Sequence, residues 1–426
     1  MATMNEDVLS RLLKQEMVLA MGCTEPAACA LAGATAAEEL GCIPETVRVE
    51  TTRDILKNAM SVSIPGFGKK GVGAAVALGA AGGDAHLGLD ILSLLTDEQK
   101  ERAGRYDVGI DVVDVGTPLY IKVIVTGCGH SAAAAIGPTH THVCYREKDG
   151  KVLLAEDLHA RKQDRVDTAV LEDVTMGEII SYATHLPEGI EALLLEAIDT
   201  NMRISLESLK KQYGLGVGRS LMQGYHYPPQ SYEEALNVGA ALAAGGSDAR
   251  MAGCQMPVMI NSGSGNQGIT MTVPLAVVGT YLKKSRSEIA QALCIAELVG
   301  LTLTALKGRL SAQCGAFTAA TGMGCGLAWL GGGDQEALER VVKNMVGDLA
   351  GVICDGAKMT CALKIHSCVQ SAYLASKLAM EGKAPTPECG IIGSDARKTL
   401  NYFSEMTHAG MEPTDRTILE IMLKKQ

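Results

Sequence analysis

Residues 6–40 carry two helical patterns interrupted at Met21-Gly22-Cys23-Thr24-Glu25-Pro26. In the first, Val8, Leu12, Leu13, Met17 and Leu19 roughly follow one stripe of a 3.6-residue period. In the second, Thr24 supplies a cap and Pro26 a first-turn proline ahead of an Ala-rich run. The pattern then changes to period two. Thr46–Thr52 alternates and reads as a strand. Val108–Val115 and Leu119–Thr126 read as a strand pair with Gly116-Thr117-Pro118 as its turn. Thr139–Arg146 and Lys151–Ala155 read as a hairpin closed by Glu147-Lys148-Asp149-Gly150.

From about residue 165 the strand signal fades. Helical patterns cover 168–183, 187–212, 231–247, 285–306, 334–353, 361–381 and 414–424, with Gly-rich breaks at 214–218, 245–246, 261–268 and 331–333. The expected architecture is α/β plus mostly α. Residues 1–44 read as N-terminal helices packed on the helical domain, 45–160 as a small α/β domain, and 161–426 as a larger Ala/Gly-rich helical catalytic domain. The stretch near 156–168, beginning Glu156-Asp157-Leu158-His159, reads as the linker.

At 426 residues the chain is too long for one ordinary core. It has 48 Gly against 3 Phe and 1 Trp, so its backbones must approach closely to fill the interior. A net charge of −10 leaves no basic excess for nucleic acid. The most apolar run, Cys294–Leu306, is too short for a membrane span and contains Glu297. The polar start lacks a secretory pattern, so a cytoplasmic location with reduced thiols is expected. An odd total of 13 cysteines also fits a complete disulfide framework poorly.

The cysteines fall into two settings. Cys29, Cys42, Cys294 and Cys325 sit among Ala, Leu and Gly and read as packing residues. Cys23, Cys314, Cys354 and Cys361 lie at breaks or helix entries beside small or polar residues. Their spacing contains no C-x-x-C pair and matches neither a zinc nor a ferredoxin pattern, so buried thiols and a metal site both stay open. Asn261-Ser262-Gly263-Ser264-Gly265-Asn266-Gln267-Gly268 can cradle an anion at the start of the following helix, or be a plain interhelical turn. It lacks the Lys-Ser/Thr of a Walker loop and resembles the phosphate cup of pyridoxal-phosphate lyases. Alternation puts His140 and His142 on one strand face, beside Ser131, as a metal pair or a solvated face. Thr51–Met60 follows a strand and offers Arg53, Lys57 and Asn58 for carboxylate or amine recognition, or is simply a charged helix start.

Four motifs together carry a resemblance: Gly22-Cys23-Thr24-Glu25-Pro26-Ala27-Ala28, Lys57-Asn58-Ala59-Met60 with Ile64-Pro65-Gly66, the loop 261–268, and the late cysteine trio. Over nearly the whole chain they resemble the L-cysteine desulfidase family. More distantly, the helical half is similar to the catalytic domain of iron–sulfur L-serine dehydratases. The resemblance implies a [4Fe-4S] cluster on Cys314, Cys354 and Cys361, with one iron left open to substrate. It implies Cys23 as catalytic base or displaceable fourth ligand. A chain end of Leu423-Lys424-Lys425-Gln426 lacks the capping cysteine of the related dehydratases. The reaction implied is L-cysteine plus water giving sulfide, ammonia and pyruvate. Lys57, Asn58, Asn261, Ser262, Ser264 and Asn266 are the candidates for holding the substrate carboxylate. L-Serine dehydration, a pyridoxal-phosphate lyase and a non-catalytic metabolite-binding protein are the rivals. The expected partners are a small amino-acid substrate and a second copy in a homodimer, with neither nucleic acid nor membrane.

Overall fold

The structure, a computed structural model, describes residues 6–21, 24–64, 66–93, 95–158 and 166–425. Its strands are β1 (Leu19–Met21), β2 (Thr46–Thr51), β3 (Gly109–Val112), β4 (Ile121–Gly127), β5 (His130–Ile136), β6 (Val143–Lys148), β7 (Lys151–Ala155) and β8 (Pro257–Met259). β2 to β7 form one sheet in the order β3-β2-β4-β5-β6-β7, and β1 pairs separately with β8. The small mixed sheet within a mostly helical chain is the fold class expected from the patterning.

Pairing differs from expectation in one place. β2 lies between β3 and β4, parallel to the first and antiparallel to the second, so Gly116-Thr117-Pro118 is not a hairpin turn. Burial explains the order: Val47, Val49 and Thr51 of β2 are buried, whereas Ile110 and Val112 of β3 are exposed, as suits an edge. β5 carries four consecutive alanines and no strand signal of its own. Pairing with β4 and β6 on either side overrides that propensity. The expected hairpin forms with a shifted first strand: β6 begins at Val143 instead of Thr139 and runs on to Lys148, so the turn shortens to Asp149 and Gly150, both at positive φ.

Among the described residues two large hydrophobic cores result, with a small third cluster around Val62 and Met251. The smaller of the two large cores joins one face of the sheet (Val47, Val49, Ile121, Val123, Val125) to the helices Thr24–Leu40 and Gly71–Ala80. These helices touch backbone to backbone: a Cβ on Gly79 would stand 1.8 Å from the Ala30 carbonyl oxygen. The larger core is built on the helices Tyr232–Met251, Gly265–Tyr281, Arg286–Lys307, Gly315–Leu330 and Cys361–Met380. Gly315–Leu330 gives no clear periodicity because it is apolar on all sides and almost wholly buried.

The described residues among 1–44 do not pack as one unit on the helical half. The one-sided stripe of Glu6–Glu16 puts Leu9, Leu12 and Leu13 in the larger core, while Thr24–Leu40, alanine on every face, is buried in the smaller one. The C-terminal helix Met411–Leu423 returns to the smaller core through Leu419. Arg286–Lys307 is long and apolar enough to cross a membrane but is buried inside the protein. Cys29, Cys294 and Cys325 are buried, and burial pushes their thiols up, in keeping with a packing role. Cys42 departs from that expectation. It follows the helix end at Gly41, is only half-buried, and is joined to Cys128 in the β4–β5 turn. The expected linker falls largely on residues 159–165, outside the described residues.

Candidate active site

Three loop-and-helix junctions bring the late cysteines together. Cys314 caps the helix Gly315–Leu330, Cys361 opens Cys361–Met380, and Cys354 lies in the loop before it. Gln313 bridges to Ile353, and the Cys314 N–H donates to the Val352 carbonyl at 2.9 Å, lacing the two loops together. The 354–361 loop then docks on the smaller half, where the Ala357 N–H donates to the Asn58 carbonyl at 3.3 Å. Gly356 permits this approach: its φ is +90°, and a Cβ there would lie 2.4 Å from the Lys57 carbonyl oxygen. All three cysteines line one cavity of about 110 Å³ at the seam between the two cores.

The thiols are electrostatically unequal. The hydrogen bond from Cys314, the Lys57 and Lys307 charges and the Gly356 amide hold the Cys354 thiol well below the usual range, against the effect of burial. The same hydrogen bond, with burial, pushes Cys314 up, and burial raises Cys361. Lys307 is itself buried, which lowers its ammonium to about 8.

The smaller half contributes Glu25, Asn58 and His140 to the cavity wall. His140 was expected on a strand face beside His142, but β6 begins only at Val143 and the pair does not form. His142 instead contacts Glu156 at 2.8 Å. His140 sits in the preceding turn, 8% exposed, with burial lowering its pKa so that the ring is neutral. Its Nε2 has no hydrogen-bond partner among the described residues.

Of the residues expected to hold substrate, Asn58, Ser262, Ser264 and Asn266 line the cavity. Ser264 caps the helix Gly265–Tyr281, so the glycine loop does open a helix. Lys57 and Asn261 are committed elsewhere. Lys57 is fully buried in an ion pair with Asp415, and its charge reaches the thiols only through space. The Asn261 amide donates to Glu297, whose carboxyl is pushed up to about 8 by burial. Cys23 lies outside the described residues; the next residue, Thr24, donates to the Gly263 carbonyl at 2.7 Å. Sequence reasoning assigned no role to Gln313, Arg250, Lys307 or Arg309, which also line the cavity. The available signal was Lys307-Gly308-Arg309, a basic pair just ahead of Cys314.

Three thiols on one cavity are the ligand type that iron–sulfur clusters take. Among the described residues, the group of three whose ligand atoms lie within 4.8 Å of one another is the exposed Glu38, Asp84 and His86, not the thiols. Cysteines around an iron–sulfur cluster each meet a different iron, so they line one cavity without converging on one point. Two buried lysines beside the thiols offset the charge that thiolate ligands bring.

Comparison with known proteins agrees with this arrangement. Residues 86–420 match the family model described as serine dehydratase alpha chain. A "UPF0597 protein" of Oleidesulfovibrio alaskensis is 41% identical over 420 residues, covering 97% of each chain. Relatives of the same name from Aeromonas hydrophila and Lachnoclostridium phytofermentans are 36% and 37% identical, each over 97% of this chain and over 95% and 98% of their own. The chain belongs to the serine dehydratase alpha-chain family and, within it, stands with the UPF0597 proteins.

Proposed function

We propose that the protein is an iron–sulfur lyase acting on a small β-substituted L-amino acid, with L-cysteine as substrate and sulfide, ammonia and pyruvate as products. The observation that carries the reading is the meeting of Cys314, Cys354 and Cys361 on one buried cavity, flanked by Lys57 and Lys307. Those cysteines would hold a [4Fe-4S] cluster, which when bound supplies an open iron as Lewis acid for the leaving group.

The chain's own residues have three tasks. A base must take the α-proton. His140 is suited to this as a neutral ring with a partnerless Nε2 on the cavity wall. Cys23, whose neighbours Thr24 and Glu25 reach the cavity region, is the alternative base. Arg309, bound to Glu16 at 2.7 Å, stands where this cavity meets a wider one of about 670 Å³, and favours entry of a carboxylate. The loop 262–266 and the Gln313 amide orient the bound molecule. Loss of the β-substituent leaves aminoacrylate, which tautomerises and hydrolyses in water.

L-Serine is the second reading, favoured by the family's own description. Anaerobic reconstitution with iron and sulfide, followed by side-by-side assay of L-cysteine and L-serine for pyruvate, tests both. Steady pyruvate and sulfide from cysteine is the expected result. Pyruvate from serine alone would transfer the assignment, and none from either would overturn the lyase reading.

A further inference from the structure

We infer that Glu25 and the side-chain oxygen of Asn58 form a subsite for the substrate's α-ammonium group, so that the protein selects free α-amino acids over acids lacking the amine. The inference rests on the proposed function for the identity of the ligand, but on independent observations for the subsite.

The first observation is a cluster of unmet hydrogen-bonding capacity. Buried polar atoms in folded proteins are nearly all partnered. On this one cavity wall, however, Asn58 Oδ1, Asn266 Oδ1, His140 Nε2 and both amide atoms of Gln313 are buried without partners. Gln313 is 1% exposed and leaves both an acceptor and a donor open. A ligand that satisfies this wall must therefore itself carry donors as well as acceptors.

The second observation concerns where the acceptors lie. Glu25 is, among the described residues, the carboxylate on the cavity wall, and arginine and lysine side chains (Arg250, Lys307, Arg309) account for the rest of its charged lining. Among the described residues, Glu25 accepts from Thr24 Oγ1 at 3.1 Å and Asn58 Nδ2 at 3.4 Å but has no cationic partner within ion-pair distance. Asn58 thus touches Glu25 through its amide nitrogen, and the partnerless Oδ1 is carried by the same cavity-lining side chain. The corner these two residues form offers a carboxylate and an amide oxygen, which suits a group bearing several N–H donors and one positive charge. A divalent cation is a poor occupant, because it needs about six or more oxygen ligands and the neighbouring cations repel it. Arg250, Lys307 and Arg309, which line the same cavity, suit the carboxylate of the same amino acid. Asn58 accordingly belongs to the ammonium end, rather than to the carboxylate end expected from its sequence position.

The test compares ligands that differ only in the amine. L-Alanine and propionate cannot eliminate, so their affinities for the reconstituted protein are measurable by calorimetry without turnover. L-Alanine is expected to bind about 10- to 100-fold more tightly than propionate, the range of a charge-assisted hydrogen bond made to a half-buried carboxylate on the cavity wall. Glu25→Gln should bring that ratio close to one while leaving propionate affinity unchanged. If Glu25→Gln fails to fold, Asn58→Asp, which adds charge at the same corner, should raise the ratio. A wild-type ratio near one, a ratio unchanged in both variants, or equal weakening of both ligands would overturn the subsite. Pyruvate formation with a ratio near one would sink the subsite and keep the lyase reading. The expected ratio without turnover of cysteine or serine would do the reverse.

Discussion

The buried pair Lys57–Asp415 ties the C-terminal helix to the ligand-bearing seam, and its removal should be costly in a specific way. Lys57 has a side-chain exposure of 0% and Asp415 of 5%, so neither can turn to water if the other is lost. Removing one member of such a pair costs about 3–5 kcal/mol, chiefly because the survivor is left charged and dry. The two halves of the pair differ in what remains nearby. Asp415→Asn leaves Lys57 without its ion-pair partner, facing Asp54, whose carboxyl burial already pushes up to about 6, and the Cys354 sulfur, so a cost of about 3 kcal/mol is expected. Lys57→Met leaves Asp415 facing Arg53 at 3.7 Å, and the cost should fall to about 2 kcal/mol. The double variant Lys57→Met/Asp415→Asn removes both charges and should recover most of the loss, giving a coupling of at least about 2 kcal/mol. Urea unfolding of the iron-free protein, followed by far-UV circular dichroism, measures all four chains without a contribution from bound metal. Additive losses in the double variant, or a cost under about 1 kcal/mol for Asp415→Asn, would refute the reasoning.

Four further outcomes follow from the site. Cys314→Ala, Cys354→Ala and Cys361→Ala should each abolish both iron retention and activity, while Cys29→Ala and Cys42→Ala leave iron content unchanged; full iron in any of the first three removes that residue from the ligand set. His140→Gln should lower kcat by about 10²- to 10⁴-fold at unchanged iron content, and a loss of tenfold or less would move the base role to Cys23. D-Cysteine and L-cysteine methyl ester should be poor substrates, since one misplaces the α-hydrogen and the other lacks the carboxylate; comparable kcat/KM for the ester would exclude a carboxylate anchor. Because burial holds Glu297 protonated up to about 8 while the unfolded chain ionises near 4.5, the native state keeps a proton the unfolded state has lost, and stability should fall by about 1.4 kcal/mol per pH unit across that interval; Glu297→Gln should remove that contribution in urea melts at pH 5.5 and 7.5, and an unchanged difference between the two pH values would show that the carboxyl is not buried neutral.

How far these features were legible in the sequence depended on whether each signal was local. β2 and the β6–β7 hairpin announce themselves by alternation and a turn dipeptide; β2 is where the pattern puts it, and the hairpin differs in that β6 begins four residues later than expected. β5 is invisible, since a run of alanines becomes a strand only through partners on either side. The order β3-β2-β4 is likewise set by which strand can bury both neighbours, a property of the sheet and not of any one segment. At the site, Cys314, Cys354 and Cys361 could be separated from the packing cysteines by their neighbours, and they do share a cavity. Lys57 looked like a ligand-binding lysine because its partner, Asp415, stands 358 residues away. His140 was found for the wrong reason: a strand face was expected, whereas the turn before β6 brings it to the cavity alone.

The seam location of the site has a physical consequence. The helical half supplies the sulfur and most of the positive charge, whereas the smaller half supplies Glu25, Asn58 and His140. Neither set is a site by itself. Thiolates without nearby cations would be costly to bury, and Lys57, one of the two lysines that hold Cys354 low, belongs to the smaller half. The ligand loop docks against the backbone of that same lysine through Gly356 and Ala357. Assembly of the thiol set and docking of the two halves are therefore linked equilibria: whatever binds the three sulfurs also favours the docked state, by the same free energy with which docking favours binding. A substitution in the smaller half that loosens the seam should thus weaken metal retention without touching a cysteine. This linkage also gives the small sheet a role beyond framing the cavity, because its position governs the charge that the buried sulfurs experience.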